Sequence, residues 1–135
     1  MGSLTADQLL ERARRSLDRL DPAAAWAAAR EGSALLVDTR STDALARTGR
    51  IPGSVHAPLS VLYWRADRSS PHKDPRIADD GRRVVLLCTD GYSSSLAAAT
   101  LQELGHADAT DVIGGMTAWQ EAGLPLESAP PDPTP

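Results

Sequence analysis

The 135-residue chain holds one cysteine, and its neighbours are those a reactive thiol needs. Cys88 closes the apolar run Val84-Val85-Leu86-Leu87, which has the composition of a strand buried on both faces. Thr89, Asp90, Gly91 and Tyr92 follow, then Ser93-Ser94-Ser95 and an Ala- and Leu-rich stretch that reads as a helix. A strand that delivers a sulfur into a tight loop opening a helix sets it over backbone N–H groups, at the positive end of the helix dipole. Those conditions lower a thiol pKa and stabilise an anionic sulfur. Gly91 lets the loop turn through torsions costly for other residues. Loop placement weighs against the simpler reading, in which Cys88 is a small core residue at a strand end. The chemistry in view is nucleophilic attack by sulfur.

Length and composition bound the rest. At 135 residues the chain suits one domain whose core needs neither disulfide nor metal. One cysteine makes no internal disulfide, which fits a reducing compartment, so the expected location is cytoplasmic. The 14 basic and 18 acidic residues give a net charge of −4, spread along the chain. That balance argues against nucleic acid or an anionic membrane surface as the main partner. No apolar run approaches the roughly 20 residues that span a bilayer. Residues 1–5 carry neither the basic nor the apolar region of a signal peptide. Without Phe, the core rests on Leu, Val, Ala and three Trp.

The elements that must position Cys88 are read in chain order. Leu9, Leu10, Ala13, Leu17 and Leu20 fall near one stripe of a helix over residues 5–20, with Thr5 and Gln8 spaced as a capping box. Its opposite face, with Arg12, Arg14, Arg15 and Arg19, reads as solvated. Asp21-Pro22 starts a second helix that stops at Gly32. Residues 33–38 read as a buried strand, and Ser41 caps a short helix through Arg47. Asp38 and Arg40 stand at the carboxyl end of that strand, where open α/β sheets place their sites. Hydrogen bonds that pin neighbouring loops are the preferred account of both. Pro52-Gly53 suits a type II turn before a very short strand at 55–57. His56 reads as a hydrogen-bonded structural residue, and no second His or Cys stands at ligand spacing, so no metal is expected. A short helix covers 58–65. Residues 66–80, rich in charge and proline, read as the least ordered stretch and a candidate lid or partner surface. A strand at 83–88, a helix at 93–104, a strand at 109–113 and a helix at 116–121 complete the series. The predicted fold class is α/β, a small parallel β-sheet of four or five strands flanked by helices on both faces. A fifth strand near Leu20 leaves no pattern of its own.

Four pieces in this order resemble the rhodanese-homology domain, the family of single-domain rhodanese-like sulfurtransferases. They are Leu36-Val37-Asp38-Thr39-Arg40, Gly49-Arg50-Ile51-Pro52-Gly53-Ser54-Val55-His56, Val85 through Cys88 to Ser94, and Ile113-Gly114-Gly115-Met116-Thr117-Ala118-Trp119 with Gly123-Leu124-Pro125. The expected organisation is an N-terminal helical extension over 1–16, a rhodanese-like domain over 17–126 and a disordered Pro-rich tail over 127–135.

The resemblance implies a sulfurtransferase without a cofactor. Cys88 would be the catalytic nucleophile and carry a persulfide. Thr89, Asp90, Gly91, Tyr92, Ser93 and Ser94 would bind the transferred sulfur, with Asp38, Arg40 and Arg65 in support. The implied partners are a small sulfur donor such as thiosulfate, a thiol or cyanide acceptor, and a protein persulfide, with no nucleic acid and no membrane. This sequence departs from the family pattern twice. Ser93 stands where the family loop commonly has Arg, and Asp90 adds negative charge beside a site for an anion. Both departures favour a persulfide donor over thiosulfate, and Arg40, Arg50 and Arg65 are the candidates for the missing charge. The alternative is a non-catalytic rhodanese module for protein binding or redox sensing. A Cys-loop phosphatase would need Arg at the position held by Ser94.

Overall fold

The computed structural model describes residues 2–129. In chain order the strands are β1 (Ala34–Asp38), β2 (Val55–His56), β3 (Arg83–Leu87) and β4 (Thr110–Asp111). The helices are α1 (Ala6–Arg14), α2 (Pro22–Glu31), α3 (Thr42–Thr48), α4 (Leu59–Ala66), α5 (Pro75–Ala78), α6 (Ser93–Glu103) and α7 (Gly115–Glu121).

The two apolar runs become the central strands. β1 is buried throughout and β3 from Val84 onward. They pair in parallel from Ala34↔Arg83 to Asp38↔Leu87, which brings the Asp38 end beside the Cys88 end. β2 joins the far side of β1 and β4 the far side of β3, giving the all-parallel order β2-β1-β3-β4. The period of two then divides the core. Leu35, Val37, Val84 and Leu86 face one layer with Leu62, Ile77, Ala97 and Leu101. Ala34, Leu36, Val85 and Leu87 face the other with Ala25, Met116 and Trp119. Helices therefore cover both faces, as the α/β pattern requires.

Local capping is as the residue types dictate. Thr5 and Gln8 exchange both bonds of the capping box, at 3.1 and 2.9 Å. Asp21 and Ser41 cap α2 and α3 by accepting from Ala24 N and Ala44 N.

Three expectations are corrected. The first helix ends at Arg14, not near residue 20, because the sheet claims Leu20. Leu20 donates to the Asp111 carbonyl at 3.1 Å and accepts from Ile113 N at 2.8 Å, a one-residue parallel bridge beside Val112. Residues 66–80 are not a loose connection. Asp74 caps α5, and Ile77 and Ala78 are buried at 2% and 1% exposure, two apolar residues too few to show a period. Finally, the chain is still paired at the expected start of the tail. Arg50 and Glu127 exchange backbone bonds of 2.9 and 2.8 Å. The rest of the tail over 130–135, like Met1, lies outside the described residues.

Candidate active site

Cys88 follows the last residue of β3, and α6 begins five residues later at Ser93. Backbone packing holds the intervening loop. Met116 N donates to the Cys88 carbonyl at 2.8 Å and Thr117 N to the Thr89 carbonyl at 3.0 Å. Gly91 (φ +83°) and Gly115 (φ +59°) sit where the loop and the start of α7 touch main chain to main chain. A Cβ on Gly91 would lie 2.7 Å from Gly114 N, and one on Gly115 would lie 2.4 Å from the Cys88 carbonyl oxygen.

Cys88 is 6% exposed, and its thiol is hydrogen-bonded from within the loop. Gly91 N–H donates to Sγ at 3.1 Å, and the thiol donates to Ser94 Oγ at 3.2 Å. Burial pushes the Cys88 thiol up. Hydrogen bonds from the Ser94 and Ser93 side chains and from the Ser94 and Gly91 backbone together outweigh it, and the thiol sits below its ordinary value.

Beneath the loop lies a charged network. Asp111 is fully buried and accepts from Ser94 Oγ and Ser95 Oγ, both at 2.7 Å. Arg19 neutralises it with bonds of 2.8 and 3.2 Å. A buried carboxylate persists only when paired and hydrogen-bonded in this way. Ser94 has a single hydrogen to give. While Cys88 is a thiol, Asp111 takes that hydrogen. Once the thiol ionises, Ser94 can turn it to sulfur and leave Asp111 to Ser95 and Arg19. We expect Ser94→Ala to move the midpoint of Cys88 alkylation to higher pH. Its alkylation rate at pH 7 should fall about fivefold, the value of one net hydrogen bond.

Above Cys88 opens a shallow depression of about 280 Å³, lined by Thr39, Arg40, Cys88, Thr89, Asp90, Tyr92 and Ser93. Of the residues singled out in the sequence, Gly91 and Ser94 reach the sulfur from behind, and Thr89, Asp90, Tyr92 and Ser93 form the rim. Asp90 accepts from Thr117 Oγ1 at 2.8 Å. Arg40 reaches the rim, but its side chain is 3% exposed and held by Asp38 at 2.9 Å, by Thr48 and by the Gly49 carbonyl. Asp38 thus serves Arg40, and His56 Nε2 pairs with the Arg40 carbonyl at 2.7 Å. Arg65 is elsewhere. It donates to the His72 carbonyl at 2.8 Å and lines a separate cleft with His56, His72 and Lys73. Arg50, the third candidate for the missing charge, bonds the Ser54 carbonyl.

Sequence reasoning missed Asp111, Ser95, Arg14 and Arg19. The legible signal was Asp111 itself, an acid inside the apolar run 109–113 that needs a cation when buried. The helical pattern puts Arg14 and Arg19 on a solvated face, and the structure turns both toward the loop. Arg12 and Arg15 are exposed, whereas the Arg19 side chain is only 16% exposed. No group of three or more His, Cys, Asp or Glu that could hold a metal occurs among the described residues. No described helix is long and apolar enough to cross a membrane.

A parallel α/β sheet whose central strand hands a cysteine to a helix-opening loop defines a cysteine-loop α/β domain. The rhodanese-like domain family model matches residues 21–122, and the chain belongs to that family. It is a sulfurtransferase of the rhodanese type. It is 31% identical over 110 residues to the thiosulfate sulfurtransferase GlpE of Actinobacillus succinogenes, covering 82% of this chain and 90% of that protein. Its identity to the GlpE of Pseudomonas syringae pv. syringae is 37% over 93 residues, 69% of this chain and 78% of the other. Among solved structures, a protein of unknown function from Rhodopseudomonas palustris, described as a possible tyrosine phosphatase, superposes with a TM-score of 0.85. Its identity is 32%, over 94% of this chain and 97% of that one. The polysulfide-sulfur transferase homodimer of Wolinella succinogenes gives a TM-score of 0.67 at 26% identity, over 89% and 85% of the two chains.

Proposed function

We propose that the protein moves a sulfane sulfur from a persulfide or thiosulfate donor to a thiol or cyanide acceptor, through a persulfide on Cys88. The observation that carries this reading is the convergence of Gly91 N–H and Ser94 Oγ on Cys88 Sγ, at 3.1 and 3.2 Å, beneath an open depression. In the first step the Cys88 thiolate attacks the outer sulfur of the donor. A bond forms from Sγ to that sulfur, the donor S–S bond breaks, and its electron pair leaves with a thiolate or with sulfite. In the second step an acceptor thiolate or cyanide attacks the terminal sulfur, and Cys88 departs as the thiolate. Splitting the transfer into two displacements is the logic of covalent catalysis. The loop amides supply fixed donors to the anionic sulfur in each step.

The rim favours a low-molecular-weight or protein persulfide over thiosulfate. Arg40 is the one cation among its lining residues, and Asp38 already neutralises it. Asp90 stands on the same rim, and Ser93 occupies the place where the family commonly has Arg. Tyrosine phosphatase activity is disfavoured on the same ground. The position that would hold a bidentate phosphate-binding guanidinium is Ser94, buried and turned toward Asp111.

Intact mass after incubation with glutathione persulfide, and separately with thiosulfate, tests the proposal. The expected result is a gain of one sulfur that cyanide removes, faster with the persulfide. A folded protein with a titratable thiol that gains sulfur from neither donor would overturn the proposal in favour of the non-catalytic binding module.

A further inference from the structure

The loop carbonyl of Gly91 is gripped from outside the stretch that the family model matches. Arg14 donates to it at 2.8 Å and Arg19 at 3.1 Å, while Ser95 Oγ, whose hydrogen goes to Asp111, lies 3.3 Å away. Both arginines precede residue 21, where the match begins. Arg14 also donates through Nε to Ser95 Oγ at 3.1 Å, and its guanidinium lies 6.0 Å from the centre of the Tyr92 ring. Arg19 reaches Gly91 while paired with Asp111.

A trans peptide points its N–H opposite to its C=O. With the Gly91 carbonyl drawn toward the arginines, the Tyr92 N–H of the same peptide is turned away from them. The carbonyl oxygen has two lone pairs, and with a guanidinium on each the orientation of the Gly91–Tyr92 peptide is fixed. The grip also sets two cations against one carboxylate, Asp111, directly behind the loop.

We propose that Arg14 and Arg19 are positioning residues for the sulfur cradle. They lock the Gly91–Tyr92 peptide with its N–H toward the transferred sulfur. They also supply, from the N-terminal segment, the positive charge that this loop lacks at Ser93. The proposal rests on the persulfide reading for its consequence in catalysis, but its geometric part stands on the thiol alone.

The test compares Arg14→Ala and Arg19→Lys with Arg15→Ala, whose exposed side chain pairs with the exposed Glu11. Arg14→Ala leaves the Gly91 carbonyl and Ser95 with other partners. Arg19→Lys retains a cation for Asp111 but loses the second arm to Gly91, so neither variant strands a buried charge. Two readouts are taken on folded protein, the pH profile of Cys88 alkylation by iodoacetamide and kcat and KM for sulfur transfer from glutathione persulfide. Arg14→Ala and Arg19→Lys should each alkylate about three- to tenfold more slowly at pH 7, with the profile displaced to higher pH. Their kcat should fall by a similar factor at nearly constant KM, and Arg15→Ala should match the wild type. Unchanged alkylation profiles and unchanged kcat in both variants would overturn the clamp while leaving the transferase reading intact. Displaced alkylation in the two variants, with a wild type that takes up no sulfur, would sustain the clamp and sink the transferase.

Discussion

The Cys88→Ser protein is expected to keep its fold and to lose sulfur transfer by about three to six orders of magnitude, the scale of removing a covalent nucleophile. A hydroxyl in that place still meets Gly91 N–H and Ser94 Oγ, so the buried polar groups of the loop retain partners. What it lacks is an accessible anion. The loop lowers the Cys88 pKa through a handful of hydrogen bonds, which cannot bring a serine alkoxide into the physiological range. Steady-state transfer from glutathione persulfide to cyanide, beside a thermal melt, checks both halves of the expectation. Transfer that survived in the serine variant would remove Cys88 from the chemistry. Wild-type activity should rise with pH at a midpoint below that of an ordinary thiol, because the thiolate attacks. The same lowering contributes stability above the unfolded-state thiol pKa, and that contribution is lost as pH falls through the folded-state value.

The second large effect is expected at Gly115. An alanine there would adopt φ +59° and push its Cβ to 2.4 Å from the Cys88 carbonyl oxygen and 2.7 Å from the Thr89 carbonyl carbon and oxygen. These are main-chain atoms on both sides, so no side chain can swing aside, and the loop or α7 must move. Left-handed strain adds on the order of 1 kcal/mol. Strain and overlap together should cost roughly 3 kcal/mol and lower the Tm by about 10 °C. Because Met116 N and Thr117 N hold the loop carbonyls through the same turn, sulfur transfer should drop more than tenfold in protein that remains folded. Gly123→Ala isolates the cause. Its φ is +68° with open space around the new Cβ, so it should carry the torsional cost without the loss of activity. Equal melting points for the two variants would show that the close approach at Gly115 carries no energy.

Much of the frame was legible because its determinants are local. The runs Leu35-Leu36-Val37 and Val84-Val85-Leu86-Leu87 are too short and too branched for anything but buried strands, and β1 and β3 form there. Thr5, Asp21 and Ser41 accept from the third residue onward, as short polar side chains at helix starts do. The Cys88 loop was visible in the same way, since a strand, a small-residue turn and a helix stand consecutively. Two placements were not legible. Ile77 and Ala78 lie in a charged stretch where two adjacent buried residues make no period. Leu20 matched the helical stripe, and tertiary pairing with Asp111 and Ile113 drew it into the sheet edge instead.

By itself, then, the sequence determined that a lone thiol stands between a buried strand and a helix, the placement on which the expectation of nucleophilic sulfur rests. Only the tertiary structure decided what surrounds that thiol. It spent the charge of Arg40 on Asp38, sent Arg65 to another cleft, and brought Arg14 and Arg19 under the loop across separations of 72 to 92 residues, where they meet Gly91, Ser95 and Asp111. The physical reason is range. Strand, turn and cap preferences act between residues a few positions apart, whereas a buried carboxylate and the cations that satisfy it meet only when the sheet closes.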